Sequence, residues 1–184
     1  LAGREPRLRC VAFAQNRGQS AAFCAGFDAA LAPVVVTMDA DLQNDPADVP
    51  RLLELFEQGH DMVIGWRAKR KDTLSKRLAS KVGNAIRRRF TGDTVRDTGC
   101  SLKVMRRALL LELPRFKNMH RYLPALMQAR GADVAEAPVN HRPRAHGQSK
   151  YGTWDRAVAG AWDLIGVRWL LARTLRWQER ERSE

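Results

Sequence analysis

Val34-Val-Val-Thr-Met-Asp-Ala-Asp-Leu-Gln-Asn-Asp-Pro46 (VVVTMDADLQNDP) decides the fold. The run from Val34 to Met38, bounded by Pro33, is continuous, apolar and β-branched, which fits a strand covered on both faces, as in a parallel sheet. It stops at two aspartates spaced two apart, with a glutamine two further on. Downstream, Asp48 to Gln58 reads as a helix with its period on Leu52, Leu53 and Phe56 and a capping glycine at Gly59. Asp61 to Gly65 (DMVIG) is the next short strand. Upstream, Leu8 to Ala14 (LRCVAFA) reads as a strand, Gln15 to Gly18 as a turn and Ser20 to Leu31 as a small-residue helix. Strand, helix, strand, helix, strand is the rhythm of a doubly wound α/β layer.

The aspartates then acquire a role from their place. In an open α/β sheet, ligands bind beyond the carboxyl ends of the strands. Side chains i and i+2 of an extended chain point the same way, so Asp39 and Asp41 can aim at one point. Two carboxylates held close repel unless one is protonated or a cation sits near them. Carboxylate oxygens, with the amide oxygen of Gln43, suit a hard divalent ion such as Mg2+ or Mn2+, which commonly bridges to substrate phosphates. The plainer alternative is that Asp41 or Asp45 only caps the helix starting near Pro46.

The rest of the chain is more helical and more basic. Leu74 to Phe90 predicts a helix with apolar residues every four positions (Leu74, Leu78, Val82, Ile86, Phe90) among Lys76, Arg77, Lys81, Arg87, Arg88 and Arg89. Val104 to Leu113 and Tyr122 to Arg130 read as helices, and Asp133 to His141 as a last strand. A loop from Arg142 to Lys150 follows, and then a helical stretch from Trp154 to Trp177 with basic ends. At 184 residues the chain has room for one domain with a substantial core. The organisation expected is a catalytic domain over 1–152 and a basic, Trp-rich helical extension over 153–184.

A net charge of +12 points to anionic partners: nucleic acid, acidic lipid head groups or phosphorylated substrates. Cys10, Cys24 and Cys100 lack metal or redox spacing and read as buried free thiols. No segment has the ~18 apolar residues that span a bilayer, and no signal peptide is visible, so the expected location is the cytoplasm.

Three stretches in fixed order carry a resemblance: MDADLQNDP, RDTGCSLK (Arg96 to Lys103) and HRPRAHGQSKYG (His141 to Gly152). Together they resemble the polyprenyl-phosphate glycosyltransferases of family 2, which are similar to dolichol-phosphate mannosyltransferase and the bactoprenol glucosyltransferases. The resemblance implies a GT-A, Rossmann-like, mostly parallel sheet flanked by helices. It implies metal-dependent, inverting transfer of a hexose from a nucleotide-sugar to a polyprenyl phosphate. Asp41 and Gln43 would hold the metal, and Asp39 would stand at the metal on the nucleotide side. Arg67 would lie near the acceptor phosphate, and Asp97 would match the acidic residue proposed as base. Arg144, Ser149 and Lys150 would belong to a loop closing over both phosphates. Asn16 and Gly18 would match a turn beside the sugar-nucleotide pocket. The family's opening strands, with Pro-x-x-Asn-Glu and Asp-Asp-x-Ser-x-Asp, have no counterpart here, so an N-terminal piece is expected to precede Leu1.

Read on their own residues, Asp97 is equally well a cap before Thr98-Gly99 and Arg67 a solvated surface arginine. His141 and His146 read as exposed loop residues, and His60 and His120 as structural or surface ones. The basic helix around Leu74–Phe90, with Trp154, Trp162, Trp169 and Trp177, suits peripheral contact with the inner face of the membrane; packing onto the sheet or a partner subunit is the alternative. Three rivals remain. One is a family 2 enzyme acting on a glycan, disfavoured because no Gln-x-x-Arg-Trp is present. Another is a basic nucleic-acid-binding module, which leaves the aspartates unexplained, so no nucleic-acid partner is expected. The last is a non-catalytic scaffold. Sugar, base and oligomeric state are not legible.

Overall fold

The computed structural model describes residues 5–68, 74–142 and 153–174. Helix α1 (Gln19–Ala29) leads into strand β1 (Val34–Thr37), and a 3-10 turn at Pro46–Asp48 leads into α2 (Val49–Glu57). Then come β2 (Met62–Arg67), α3 (Leu74–Thr91), β3 (Lys103–Arg106), α4 (Arg107–Leu111), α5 (Leu123–Ala129), β4 (Val134–Val139) and α6 (Thr153–Arg173). The four strands form one mixed sheet in the order β1-β3-β2-β4.

Strand direction determines what this fold can do. β1 and β2 both pair antiparallel with β3, while β2 and β4 pair parallel. Three strands therefore run the same way and β3 is inserted against them. The carboxyl ends of β1, β2 and β4, and the amino end of β3, meet at one rim. Asp39, Arg67, His141 and Lys103 all stand at or next to that rim.

The core forms where hydrophobic runs are longest. Met62, Val63 and Ile64 of β2 are fully buried, and Gly65 after them is buried too, so this central strand is covered on both faces. Leu52 and Phe56 pack α2 onto β2 and β3, as the period predicts. At Gly65 an added Cβ would stand 2.8 Å from Val139 Cγ1 and 3.1 Å from Cys100 Sγ. Glycine here lets β4 and the segment before β3 close onto β2.

Two predicted elements fail, each for a non-local reason. Leu8 to Ala14 forms no strand and stays exposed, Cys10 with it; its apolar side chains line a cleft of roughly 670 Å3 against α1 instead. A strand needs a hydrogen-bonded neighbour, and none engages this segment among the described residues. The helix expected over Val104–Leu113 begins only at Arg107, because Lys103–Arg106 is captured as a strand between β1 and β2. The cysteines are free, as expected, but only Cys100 is fully buried.

Beside the core, α3 packs against α6. Arg87 turns inward from α3 and is 8% exposed, with Asp93 at 4%. Its Nη2 donates to Asp93 Oδ1 at 3.1 Å, and its guanidinium also bonds Thr98 Oγ1 and the Val95 carbonyl. Nε lies 3.1 Å from Asp93 Oδ2 yet makes no hydrogen bond. Breaking a buried pair leaves the surviving charge uncompensated. Arg87→Met is therefore expected to lower unfolding free energy by about 3 kcal/mol, read from urea denaturation.

Candidate active site

The rim is assembled by backbone turns that the sequence dictates. Asn16 Oδ1 accepts from Gly18 N at 2.8 Å, an Asx turn, and Gly18 takes φ +80°, which an L side chain resists. This turn starts α1, and Gln19 Nε2 then donates to Asp39 Oδ1 at 3.2 Å. Asn16 and Gly18 thus aim the α1 amino end at the first aspartate.

β1 ends at Thr37, so the two-residue alternation invoked for Asp39 and Asp41 does not extend to Asp41. Ala40–Asp41 form a turn, and Leu42 is held at φ 63°. Asp41 Oδ1 accepts from Gln43 N at 3.2 Å. Ser101 fastens this loop from below. Its carbonyl accepts from Thr37 Oγ1 at 2.7 Å, and its hydroxyl accepts from Asp39 N at 3.3 Å and Asn44 Nδ2 at 2.9 Å. The capping role falls to Asp45, which accepts from Ala47 N at 3.1 Å. Asp48 is buried and accepts from Asn140 N at 2.7 Å, tying α2 to the end of β4.

That tie brings two of the three quoted stretches together. Asn44 and His141 form an isolated antiparallel bridge, and Arg142 N donates to Gln43 O at 2.9 Å. Gln43 Nε2 lies 3.3 Å from Arg142 O and 3.4 Å from His141 Nε2. His141 is half-buried against the aspartate loop rather than an exposed loop histidine. Arg142 also pairs with Asp45 at 2.8 Å. Arg144, Ser149 and Lys150, with His146, lie outside the described residues, but their loop leaves the sheet beside Gln43.

At the end of β2, between β3 and β4, Arg67 and Asp97 form a two-point pair. Arg67 Nε donates to Asp97 Oδ2 at 2.7 Å and Nη2 to Oδ1 at 2.8 Å, while Arg67 N lies 3.3 Å from Oδ2. Their side chains are only 16% and 18% exposed, so Arg67 is not a solvated surface residue. The Asp97 carboxylate faces Arg67 rather than capping Thr98-Gly99. Gly99 packs on the pair, since a Cβ there would stand 3.2 Å from Arg67 Nη2.

His120 stacks on Phe23, 5.9 Å between centroids and 5° between planes, and its Nδ1 lies 2.8 Å from Ser20 Oγ. Burial, with Arg121 and Lys103 nearby, lowers its pKa to about 4, so the ring is neutral at pH 7. A neutral imidazole next to the start of α1 offers hydrogen bonds without adding charge.

The donor set fits a divalent ion shared with a substrate. Asp39, Asp41 and Gln43 offer oxygens and His141 a nitrogen at the rim. No three acidic, cysteine or histidine side chains close into a cage among the described residues. An open set of this kind matches an ion held through one or two carboxylates plus substrate phosphates.

Comparison with known proteins settles the class. The model of Glycosyl transferase family 2 matches residues 1–113, more than half of the chain. The chain belongs to this family. It is 39% identical over 170 residues to dodecaprenyl-phosphate galacturonate synthase of Rhizobium johnstonii, covering 90% of this chain and 50% of that protein. It is 40% identical over 152 residues to undecaprenyl-phosphate 4-deoxy-4-formamido-L-arabinose transferase of Pectobacterium atrosepticum, covering 82% and 46%. The chain thus spans about half the length of these curated relatives. In fold it is similar to glucosyl-3-phosphoglycerate synthase from Mycobacterium tuberculosis. The complex of that enzyme with phosphoglyceric acid superposes at TM-score 0.59 and 18% identity, covering 86% of this chain and 56% of that one. Its complex with Mn2+, UDP-glucose and glycerol 3-phosphate superposes at 0.54 and 20% identity, covering 86% and 55%. The α/β fold of GT-A type expected from the sequence is therefore borne out, with a sheet that is mixed in its pairing.

Proposed function

We propose that this chain forms the rim of a glycosyltransferase that moves a sugar from a nucleotide donor to a polyprenyl phosphate, with inversion at the anomeric carbon. The carrying observation is the Asn44–His141 bridge, with the Arg142–Gln43 hydrogen bond. It ties His141 and Arg142, where the HRPRAHGQSKYG stretch begins, to Gln43 and Asn44 after the two aspartates, which supports a shared role for the two stretches at the phosphates.

In this reading a phosphate oxygen of the acceptor forms the bond to the anomeric carbon as the bond to the donor diphosphate breaks. Mg2+ or Mn2+, held by Asp41 and Gln43 with Asp39 on the nucleotide side, would supply charge neutralisation on the leaving diphosphate. Arg144 and Lys150, with Ser149, would add donors there. Arg67 would meet the acceptor phosphate. A phosphate monoester has its second pKa near ~6 and is mostly dianionic at neutral pH, so it needs little deprotonation. Asp97, with both oxygens engaged by Arg67, then serves as the anchor of that arginine rather than as a base.

The sugar we propose is a six-carbon one, supported by the relative named for galacturonate. A membrane-bound acceptor also fits the outer faces of α3 and α6. Val82, Ile86 and Phe90 form an exposed row on α3, and Trp162, Ile165 and Trp169 another on α6. Arg168 lies over Phe90 and Arg173 over Trp169. No helix of the described residues is long and apolar enough to cross a membrane. We read these faces as surfaces for peripheral contact with the inner face of the membrane, each basic residue near an anionic leaflet contributing about 1 kcal/mol. The side chains of Leu74, Lys76, Arg77, Leu78, Lys81 and Trp154, and Trp177 as a whole, lie outside the described residues.

The test is transfer to undecaprenyl phosphate from nucleotide-activated glucose, galacturonate and 4-deoxy-4-formamido-L-arabinose. It is run with Mn2+, with Mg2+ and with EDTA. Metal-dependent product from a six-carbon donor is expected. Product from the arabinose donor alone would overturn the choice of sugar, and none from any donor would overturn the transferase reading.

A further inference from the structure

β3 carries a lysine among apolar neighbours. Lys103 is 3% exposed, in register with Thr37 of β1 and Ile64 of β2, and is followed by the fully buried Val104 and Met105. Burying an ammonium costs several kcal/mol unless something compensates it, and a methionine of similar length would fill the same space without that cost. The lysine therefore calls for an explanation beyond packing.

Its contacts supply one. Nζ donates to the carbonyl of Cys100. Cys100 N in turn donates to Asp97 O at 3.2 Å, closing the Asp97–Cys100 turn. This turn presents the carboxylate that clamps Arg67 at two points, and Gly99 within it forms the wall behind Arg67 Nη2. The charged and titratable groups acting on the ammonium come from each element at the rim: Asp39 after β1, Arg67 at the end of β2, and Asp97 and Cys100 in the turn. His120, ahead of α5, feels its charge in return. Burial lowers the Lys103 pKa to about 8, against the carboxylates that hold it up, so it remains mostly a cation at neutral pH.

We propose that Lys103 is a positioning residue of the transferase site: its buried ammonium holds the Asp97–Cys100 turn by the Cys100 carbonyl and so fixes the Asp97–Arg67 pair. The inference rests on the transferase reading. If the turn drifts, Arg67 loses its orientation, and misplacement by about 1 Å can cost 10^2-fold in rate.

The test compares Lys103→Met and Lys103→Arg in the full chain, using undecaprenyl phosphate, Mn2+ and the donor that the panel above selects. The methionine variant is expected to lose about 100-fold in kcat while KM for undecaprenyl phosphate stays within about threefold. Its Tm should stay within a few degrees of wild type. The arginine variant should recover at least tenfold, since it restores a cation able to reach the carbonyl. A separate readout needs no turnover: the Arg67 Nε–H resonance, assigned by its loss in Arg67→Lys. It is expected to exchange slowly with water in wild type and in Lys103→Arg, and to broaden in Lys103→Met. A methionine variant with kcat within threefold of wild type, or with the Arg67 resonance unchanged, overturns the proposal. Lack of transfer by wild type overturns the transferase reading instead, and the resonance still decides whether Lys103 positions the pair.

Discussion

Replacement of Asp41 by asparagine is expected to abolish most metal-dependent transfer, a loss of at least about 10^3-fold, and to weaken Mn2+ binding measured by electron paramagnetic resonance. Asparagine is the informative choice. In the structure Asp41 Oδ1 accepts from Gln43 N at 3.2 Å, a turn-forming bond that an asparagine carbonyl makes equally well. If the residue served only that turn, the variant would fold, bind metal and turn over like wild type. If it serves a divalent ion, the variant keeps the turn and loses a negative charge in contact with the cation. Lewis-acid stabilisation of a leaving diphosphate is worth several kcal/mol, and each 1.36 kcal/mol is tenfold in rate, so about 4 kcal/mol gives the stated loss. Asp39→Ala should have a different signature. Asp39 Oδ1 accepts from Gln19 Nε2, so removing the side chain also loosens α1 from the rim. Wild-type Mn2+ affinity and turnover in Asp41→Asn would remove the metal from Asp41.

Local pattern accounts for most of what the sequence revealed. The Leu52–Phe56 period and the Met62–Gly65 run each bury the side chains their pattern implies, because burial and period are properties of neighbouring residues. The valine run, expected to be covered on both faces, is not: β1 lies at the edge of the sheet, antiparallel to β3, with Val35 buried but Val36 39% and Met38 42% exposed. Pairing partners are not local. VMRRALLLEL reads as a continuous helix, and nothing within it says that Lys103–Arg106 will be captured between β1 and β2. LRCVAFA has the composition of a strand, but composition cannot provide a neighbouring edge. The extended-chain argument for Asp39 and Asp41 failed because β1 ends at Thr37 and the chain turns at Ala40–Asp41, which no pattern announces. At the site, Arg67 and Asp97 were both legible, yet their partnership across 30 positions of chain was not. His141 was missed although a rule already in use would have found it. It follows β4 as Asp39 follows β1, so the strand-end argument applies to both. Lys103 left a fainter trace, a single cation inside the run Leu102–Met105.

A double-mutant cycle on Arg67 and Asp97 is expected to show strong coupling in both stability and turnover. Removing Asp97 alone, as Asp97→Ala, leaves a guanidinium that is mostly buried and has lost both oxygens of the Asp97 carboxylate. Breaking a buried pair in this way costs about 3–5 kcal/mol, discounted here to roughly 2–3 because the side chains are 16% and 18% exposed. Removing Arg67 alone leaves the carboxylate facing Gly99 and the turn without its cation. Removing both deletes the attraction and the orphaned charge together, so the double variant should be more stable than the sum of the single losses by about 1–2 kcal/mol. Turnover should behave otherwise. If Arg67 meets the acceptor phosphate, Arg67→Ala and the double variant should both lose about 10^2- to 10^3-fold. Asp97→Ala should fall nearly as far, because an arginine without its anchor no longer presents its donors in one plane. Arg67→Lys should not rescue, since an ammonium cannot keep the two-point contact at 2.7 and 2.8 Å and still face a phosphate. The decisive comparison is the pH dependence of Asp97→Asn. A carboxylate acting as base would take the ascending limb of the profile with it, whereas an anchor would lower the whole profile and leave its shape unchanged.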